Sequence, residues 1–278
     1  MGAGDTRSEH VTVDGADVLV HRRGEGPPLL VLHGEDGLLF TGPFIQALSS
    51  SHEVIAPALP GWPGSDRPEH VTRPQDLAFA CLELVAALGT GPVPVVGLSM
   101  GAWVAAEMAV WQPRQLSAQV LCAPVGVKFG GRQDRAFVDI YATGAADVRA
   151  LQYADPADVP DLAEVGFDEL LMLAEAQEAV ARYAWEPYFH EPKLRHRLRR
   201  IAAPTLVVAG DADRFLLEGD IAERWAGAIG DAARAVTLPG VGHRIEEEVP
   251  GELAALVTDF LRTVDDVPAP ALAGQEES

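Results

Sequence analysis

The chain has 278 residues, 48% apolar and 22% charged, a balance that suits a globular protein with one sizeable core. Its formal net charge of −20 argues against nucleic acid and anionic membrane surfaces as partners and says little about substrate. Met1 to His10 lacks the basic start and apolar stretch of a secretory signal, and no apolar run reaches about 18 residues, so a cytoplasmic protein without membrane partners is expected.

In chain order, His10 to Val13 and Asp17 to Arg23 read as two short strands around an Asp14-Gly15-Ala16 hairpin turn. Leu29 to Leu32 is a continuous apolar run, as expected for a strand buried on both faces, and it ends in His33-Gly34-Glu35-Asp36-Gly37. Phe44 to Leu48 looks helical and Glu53 to Ala56 forms another short strand. Pro57 to Asp66 is too rich in proline and glycine for regular structure. Gln75 to Leu88 spaces Leu77, Ala80, Cys81, Leu84, Val85 and Leu88 at helical intervals and stops before Gly89. Val93 to Val96 reads as a buried strand, Gly97 to Gly101 as a turn, and Ala102 to Trp111 as a helix. Gln119 to Ala123 is a further strand, so the alternation predicts a parallel sheet with helices on both faces.

Residues 130–200 break this rhythm and read as an inserted helical subdomain. Its basic end, Lys193 to Arg200, is expected to be a solvated helix face rather than a phosphate site. Thr205 to Ala209 restores the sheet, followed by Gly210-Asp211-Ala212-Asp213, a helix over Ile221 to Ile229, a last strand at Ala235 to Leu238 and a closing helix over Glu252 to Leu261. The expected division is a core of 1–129 and 201–264, an insert of 130–200, and a disordered tail of 265–278. Cys81, in a predicted helix, and Cys122, at the end of a predicted strand, suit buried thiols, and their spacing carries no metal motif.

The chemistry starts at Gly97-Leu98-Ser99-Met100-Gly101. A serine between strand and helix sits on a tight turn, and glycines two before and two after it let neighbouring backbone come close. Ser99, Asp213 and His243 all stand just beyond the ends of predicted parallel strands, the edge at which open α/β sheets bind ligands. Histidine supplies a base, and a carboxylate orients its ring and stabilises the imidazolium. Asp213 competes with Asp211 and is preferred for its offset from Gly210, leaving Asp211 as a turn-former.

These motifs together resemble the α/β-hydrolase superfamily, over about Val18 to Val264. The resemblance implies an α/β-hydrolase fold, with a mostly parallel central sheet, helices on both faces and an inserted helical cap. His33-Gly34 looks like its oxyanion-loop motif, so the backbone amides of Glu35 and Met100 are expected to hold an oxyanion. Gly242-His243 with Glu248 and Pro250 looks like the histidine loop, with Glu248 a loop-stabilising acid. Pro60 to Pro68 resembles a Pro-Gly-aromatic-Gly-X-Ser loop in which Pro63 intrudes. Ala58, Ala102 and Leu217 depart from the frequent aspartate, glycine and proline.

The implied activity is a cofactor-independent and metal-independent serine hydrolysis of an ester, lactone or activated carbon–carbon bond. The alternatives are a lyase, cyclase or transferase on the same fold, and a receptor-like protein with slow or no turnover. The side chains of Glu35 and Asp36 are expected to point away from the oxyanion, which a carboxylate would oppose. His33 is expected to organise its loop, and Trp103 to line the pocket or pack under its helix. Gly34, Phe129, Trp185, Tyr188 and Phe189 are the further candidates for substrate contact, with His190 a weaker one.

Overall fold

Eight strands form a single sheet in the computed structural model, which describes residues 6–265. The chain runs β1 (Arg7–Val13), β2 (Ala16–Arg23), β3 (Pro28–Leu32), α1 (Gly42–Leu48), β4 (Glu53–Pro57), α2 (Pro74–Leu88), β5 (Val93–Leu98), α3 (Met100–Trp111) and β6 (Leu116–Cys122). It then leaves the sheet for α4 (Ala145–Gln152), α5 (Phe167–Ala184) and α6 (Leu194–Arg197). It returns with β7 (Thr205–Gly210), α7 (Ile221–Ile229), β8 (Ala233–Leu238), α8 (Ile245–Glu248) and α9 (Pro250–Asp265). The expected strands and core helices are all present, with ends moved by a few residues. The expected disordered tail lies outside the described residues, apart from Asp265 at the end of α9.

The strand order is β1-β2-β4-β3-β5-β6-β7-β8, with β2 antiparallel to both neighbours and β3 to β8 parallel. Successive side chains of β3 enter opposite cores: Leu30 and Leu32 join one, Leu29 and Val31 the other. That two-sided burial is why the strand is apolar without alternation. From β3 the chain moves outward to β4 and then crosses back to β5 on the other side of β3. The reversal opens a crevice beyond the carboxyl ends of β3 and β5, where the loops holding Glu35 and Ser99 emerge. Among the described residues no helix is long and apolar enough to cross a membrane. Cys81 and Cys122 are free and buried.

Every residue of α3 from Met100 to Val110 is buried, including Glu107, which accepts hydrogen bonds from Gln75 Nε2 (3.1 Å) and Trp111 Nε1 (3.2 Å). Burial pushes its carboxyl up to about 7. The folded state therefore holds this proton at a pH where the unfolded chain has released it, and stability falls as pH rises toward 7. Glu107→Gln is expected to match wild type near pH 5 and to exceed it by on the order of 2 kcal/mol at pH 8, measured by denaturant titration at both values. An equal difference at the two pH values would count against this account.

Candidate active site

Ser99 follows β5 with φ 45° and ψ −104°, a conformation that non-glycine residues adopt only under constraint. The constraint is close backbone approach. A Cβ on Gly97 would lie 2.5 Å from the Ala102 Cα, and one on Gly101 would lie 2.2 Å from the Leu32 carbonyl oxygen. Both glycines are therefore required for the turn to pack against the start of α3 and the end of β3. The Ser99 amide donates to the Cys122 carbonyl (2.8 Å), which ties the turn to β6.

The loops after β7 and β8 bring the other two groups. His243 Nε2 lies 2.7 Å from Ser99 Oγ, and His243 Nδ1 lies 2.7 Å from Asp213 Oδ2. Asp213 is itself held by the amides of Phe215 (2.8 Å) and Leu216 (3.0 Å) through Oδ1, so its Oδ2 faces the ring. Burial opposes a charge on His243, but the charge and hydrogen bond of Asp213 outweigh it and raise the imidazole pKa. Asp211 instead accepts from the Gly240 amide (2.6 Å), the turn role expected of it. Glu248 accepts from the amides of Gly242 (2.9 Å) and Ala154 (3.0 Å), holding the histidine loop as expected.

His33 does organise its loop. Its Nε2 accepts from the Leu59 amide (3.0 Å), so Nδ1 carries the hydrogen and donates to the Gly34 carbonyl (2.7 Å). Burial lowers the ring to about 4, which keeps it neutral. Trp62, from the proline- and glycine-rich loop, donates to the Glu35 carbonyl (3.0 Å) and stacks on Tyr183 of α5 (5.5 Å). The expectation that Glu35 and Asp36 point away does not hold. Glu35 Oε1 lies 2.6 Å from Ser99 Oγ, and Asp36 Oδ2 pairs with Arg149 (3.0 Å) and Arg244 (3.1 Å). Electrostatic reasoning considered only the oxyanion and not these cations, which come from α4 and from the residue after His243.

Glu35, Asp36, Arg149, Gln152 and Arg244 form a contiguous polar wall of a cavity of about 420 Å³. The remainder is mainly apolar and includes Ile140, Val148, Leu170, Leu173, Phe189 and Phe215, so the insert supplies most of it. Of the proposed contacts only Phe189 lines this space. Trp103 packs beneath its helix against Gly126, Phe129 packs on Trp225, Trp185 is exposed against Tyr141, and Tyr188 spends its hydroxyl on Val138 and Ile140. His190 lies outside the cavity, with Nδ1 on the Tyr188 carbonyl.

Arg149, Gln152 and Arg244 went unnoticed in the sequence. Only the adjacency of Arg244 to His243 pointed to any of them. Gln152 matters locally because its carbonyl accepts from the His243 amide (2.7 Å), so the insert clamps the histidine loop.

A family model for the "Alpha/beta hydrolase family" matches residues 29–256, spanning β3 to α9. The chain belongs to the α/β hydrolase family. It is 26% identical over 276 residues to the 2-hydroxymuconate semialdehyde hydrolase of Pseudomonas sp. strain CF600, covering 88% of this chain and 90% of that one. It is 31% identical over 203 residues to the poly(3-hydroxyalkanoate) depolymerase of Ectopseudomonas oleovorans, covering 68% and 69%. The fold resembles a meta-cleavage product hydrolase from Pseudomonas fluorescens IP01, with a TM-score of 0.74 at 20% identity over 92% of this chain and 97% of that one. One departure from the family pattern has a physical reason here. The Leu217 amide donates to the Ala136 carbonyl of the insert (2.8 Å), a bond that a proline would remove.

Proposed function

We propose that this α/β hydrolase is a serine hydrolase of a small organic molecule, with Ser99 as nucleophile, His243 as general base and acid, and Asp213 orienting the imidazole. The continuous contact from Ser99 Oγ to His243 Nε2 and on to Asp213, 2.7 Å at each step, carries this reading. As Oγ bonds to the carbonyl carbon, Nε2 takes its proton, and the backbone amides of Glu35 and Met100 hold the oxyanion. Collapse expels the leaving group, which takes the proton from Nε2. Water attacks the acyl-enzyme by the same base and frees Ser99.

The scissile bond is an ester, a lactone or an activated carbon–carbon bond. The 2-hydroxymuconate semialdehyde hydrolase among the relatives favours including the last of these. Residues 130–200 act as a cap over a core of 1–129 and 201–264. The largely apolar cavity suits a substrate with an apolar portion next to the reacting carbonyl.

A fluorophosphonate probe is expected to label the folded protein at Ser99 and to leave Ser99→Ala unlabelled, read by peptide mass spectrometry. Labelling elsewhere, or undiminished labelling of the variant, would overturn the assignment. Acyl esters of graded length screened beside vinylogous diketones identify the bond. Turnover in ¹⁸O-labelled water should place the label in the product acid, whereas unlabelled product points to a lyase or transferase. Tight binding without turnover points to the receptor-like alternative.

A further inference from the structure

Ser99 Oγ carries one hydrogen and has two close polar partners. His243 Nε2 stands at 2.7 Å and Glu35 Oε1 at 2.6 Å. His243 Nδ1 already faces Asp213, so its hydrogen belongs there. With a neutral imidazole and an ionised Glu35, Nε2 and Oε1 would both need the single hydroxyl hydrogen, and one short contact would set lone pair against lone pair. Two hydrogen bonds across three heavy atoms require two hydrogens. The unit Asp213–His243–Ser99–Glu35 therefore holds one proton more than a serine, histidine and aspartate need by themselves.

That proton has two placements. In one, Nε2–H donates to Oγ and Oγ–H donates to a Glu35 carboxylate. In the other, the Glu35 carboxylic acid donates to Oγ, and Oγ–H donates to a neutral imidazole. A concerted shift of both hydrogens along Nε2, Oγ and Oε1 interconverts them, with no bond formed or broken elsewhere. Only the second leaves His243 a lone pair with which to act as base. It also removes a negative charge from beside the oxyanion that the Glu35 amide would hold.

We propose that Glu35 is a fourth catalytic residue, working as a neutral carboxylic acid that donates a hydrogen bond to Ser99 Oγ. This rests on Ser99 being the nucleophile. The surroundings agree. Glu35 is buried and its Oε2 has no hydrogen-bond partner, a costly state for a charged oxygen. The nearest cation, Arg244, approaches Oε2 only to 3.9 Å, and its Nη2 is engaged by Asp36 at 3.1 Å. Arg149 is also turned to Asp36, and Tyr188, from the insert, commits its hydroxyl to backbone. Among the charged and titratable groups around Glu35, namely His243, Arg244, Asp36, Arg149 and Tyr188, none offers Oε2 a hydrogen bond. The Trp62 bond to the Glu35 carbonyl holds the loop in place.

The consequence is an alkaline limb. A unit that needs only Ser99, His243 and Asp213 gains kcat/KM with pH and then reaches a plateau. A unit that needs the extra proton loses activity again once that proton leaves, tenfold per pH unit. The test is the pH profile of kcat/KM on p-nitrophenyl butyrate for wild type, Glu35→Gln, Glu35→Ala and Ser99→Ala.

Wild type should rise and then fall. Glu35→Gln, whose amide donates to Oγ at every pH, should lose the fall and reach a plateau instead. Glu35→Ala, which keeps the backbone amide, should also reach a plateau, about tenfold lower. An alkaline fall retained in both variants would overturn the proposal. So would a wild-type profile that climbs to a plateau, a result that needs neither variant to fold. Activity persisting in Ser99→Ala would instead remove the serine reading beneath it, so the two failures are distinguishable.

Discussion

Ser99→Ala is expected to lower kcat/KM by about 10⁴-fold or more and to leave the unfolding midpoint close to wild type, measured by ester hydrolysis and thermal denaturation. In the proposed mechanism the variant keeps the cavity and the backbone amides but has no atom to attack the carbonyl. The fold should tolerate the change because close approach at Gly97 and Gly101, not the hydroxyl, holds the turn. Asp213→Asn is expected to cost about 10³- to 10⁴-fold, because an amide facing Nδ1 can reverse the imidazole tautomer and cannot stabilise the cation. Asp211→Asn makes the comparison decisive. Its carboxylate accepts from the Gly240 amide and does not touch His243, so activity should stay within a few-fold of wild type. Equal losses at the two aspartates would break the assignment.

The contrast between these aspartates shows what could be read from the chain alone. Order and spacing sufficed to expect Ser99, Asp213 and His243 beside one another, because the carboxyl ends of parallel strands share one edge of the sheet. A residue's place in the strand-loop alternation thus nearly specifies its place in space. Gly97 and Gly101 were legible for a similar reason, since backbone crowding leaves a compositional mark.

The insert left no such mark. Its helices meet the core through contacts such as the Gln152 carbonyl on the His243 amide, for which any residue type would serve. Aromatic side chains in it suggested substrate contact, yet Trp185 faces solvent and Tyr188 fastens the insert to itself. The orientation of Asp36 was misjudged because it depends on Arg149 and Arg244, cations more than a hundred residues away whose placement follows from how the insert docks.

Arg244→Met is expected to destabilise the protein by about 3–5 kcal/mol at pH 8, the size of loss that follows removing one partner from a buried ionic network. Arg244 is buried, with Asp36 at 3.1 Å, Glu247 at 3.8 Å and Glu35 at 3.9 Å, and it donates to Gln152 Oε1 at 3.1 Å. Burial disfavours its charge, but Asp36, Glu247 and Glu246 together outweigh that and raise its pKa. Without it the acids repel one another in a dry site.

The loss should shrink as pH falls. Burial already raises Glu246 to about 7 and Glu247 above its ordinary value, and removing Arg244 raises both further. Native protein then binds protons that the unfolded chain has released, so the variant recovers stability toward pH 5.5 and loses it as pH rises. Denaturant titrations of both proteins at pH 5.5 and 8 test this, and a pH-independent difference would mean that packing, not charge, is what Arg244 contributes. Arg244→Lys should recover only part of the loss, since one ammonium cannot reach Asp36 and Gln152 in the fork geometry that the guanidinium uses.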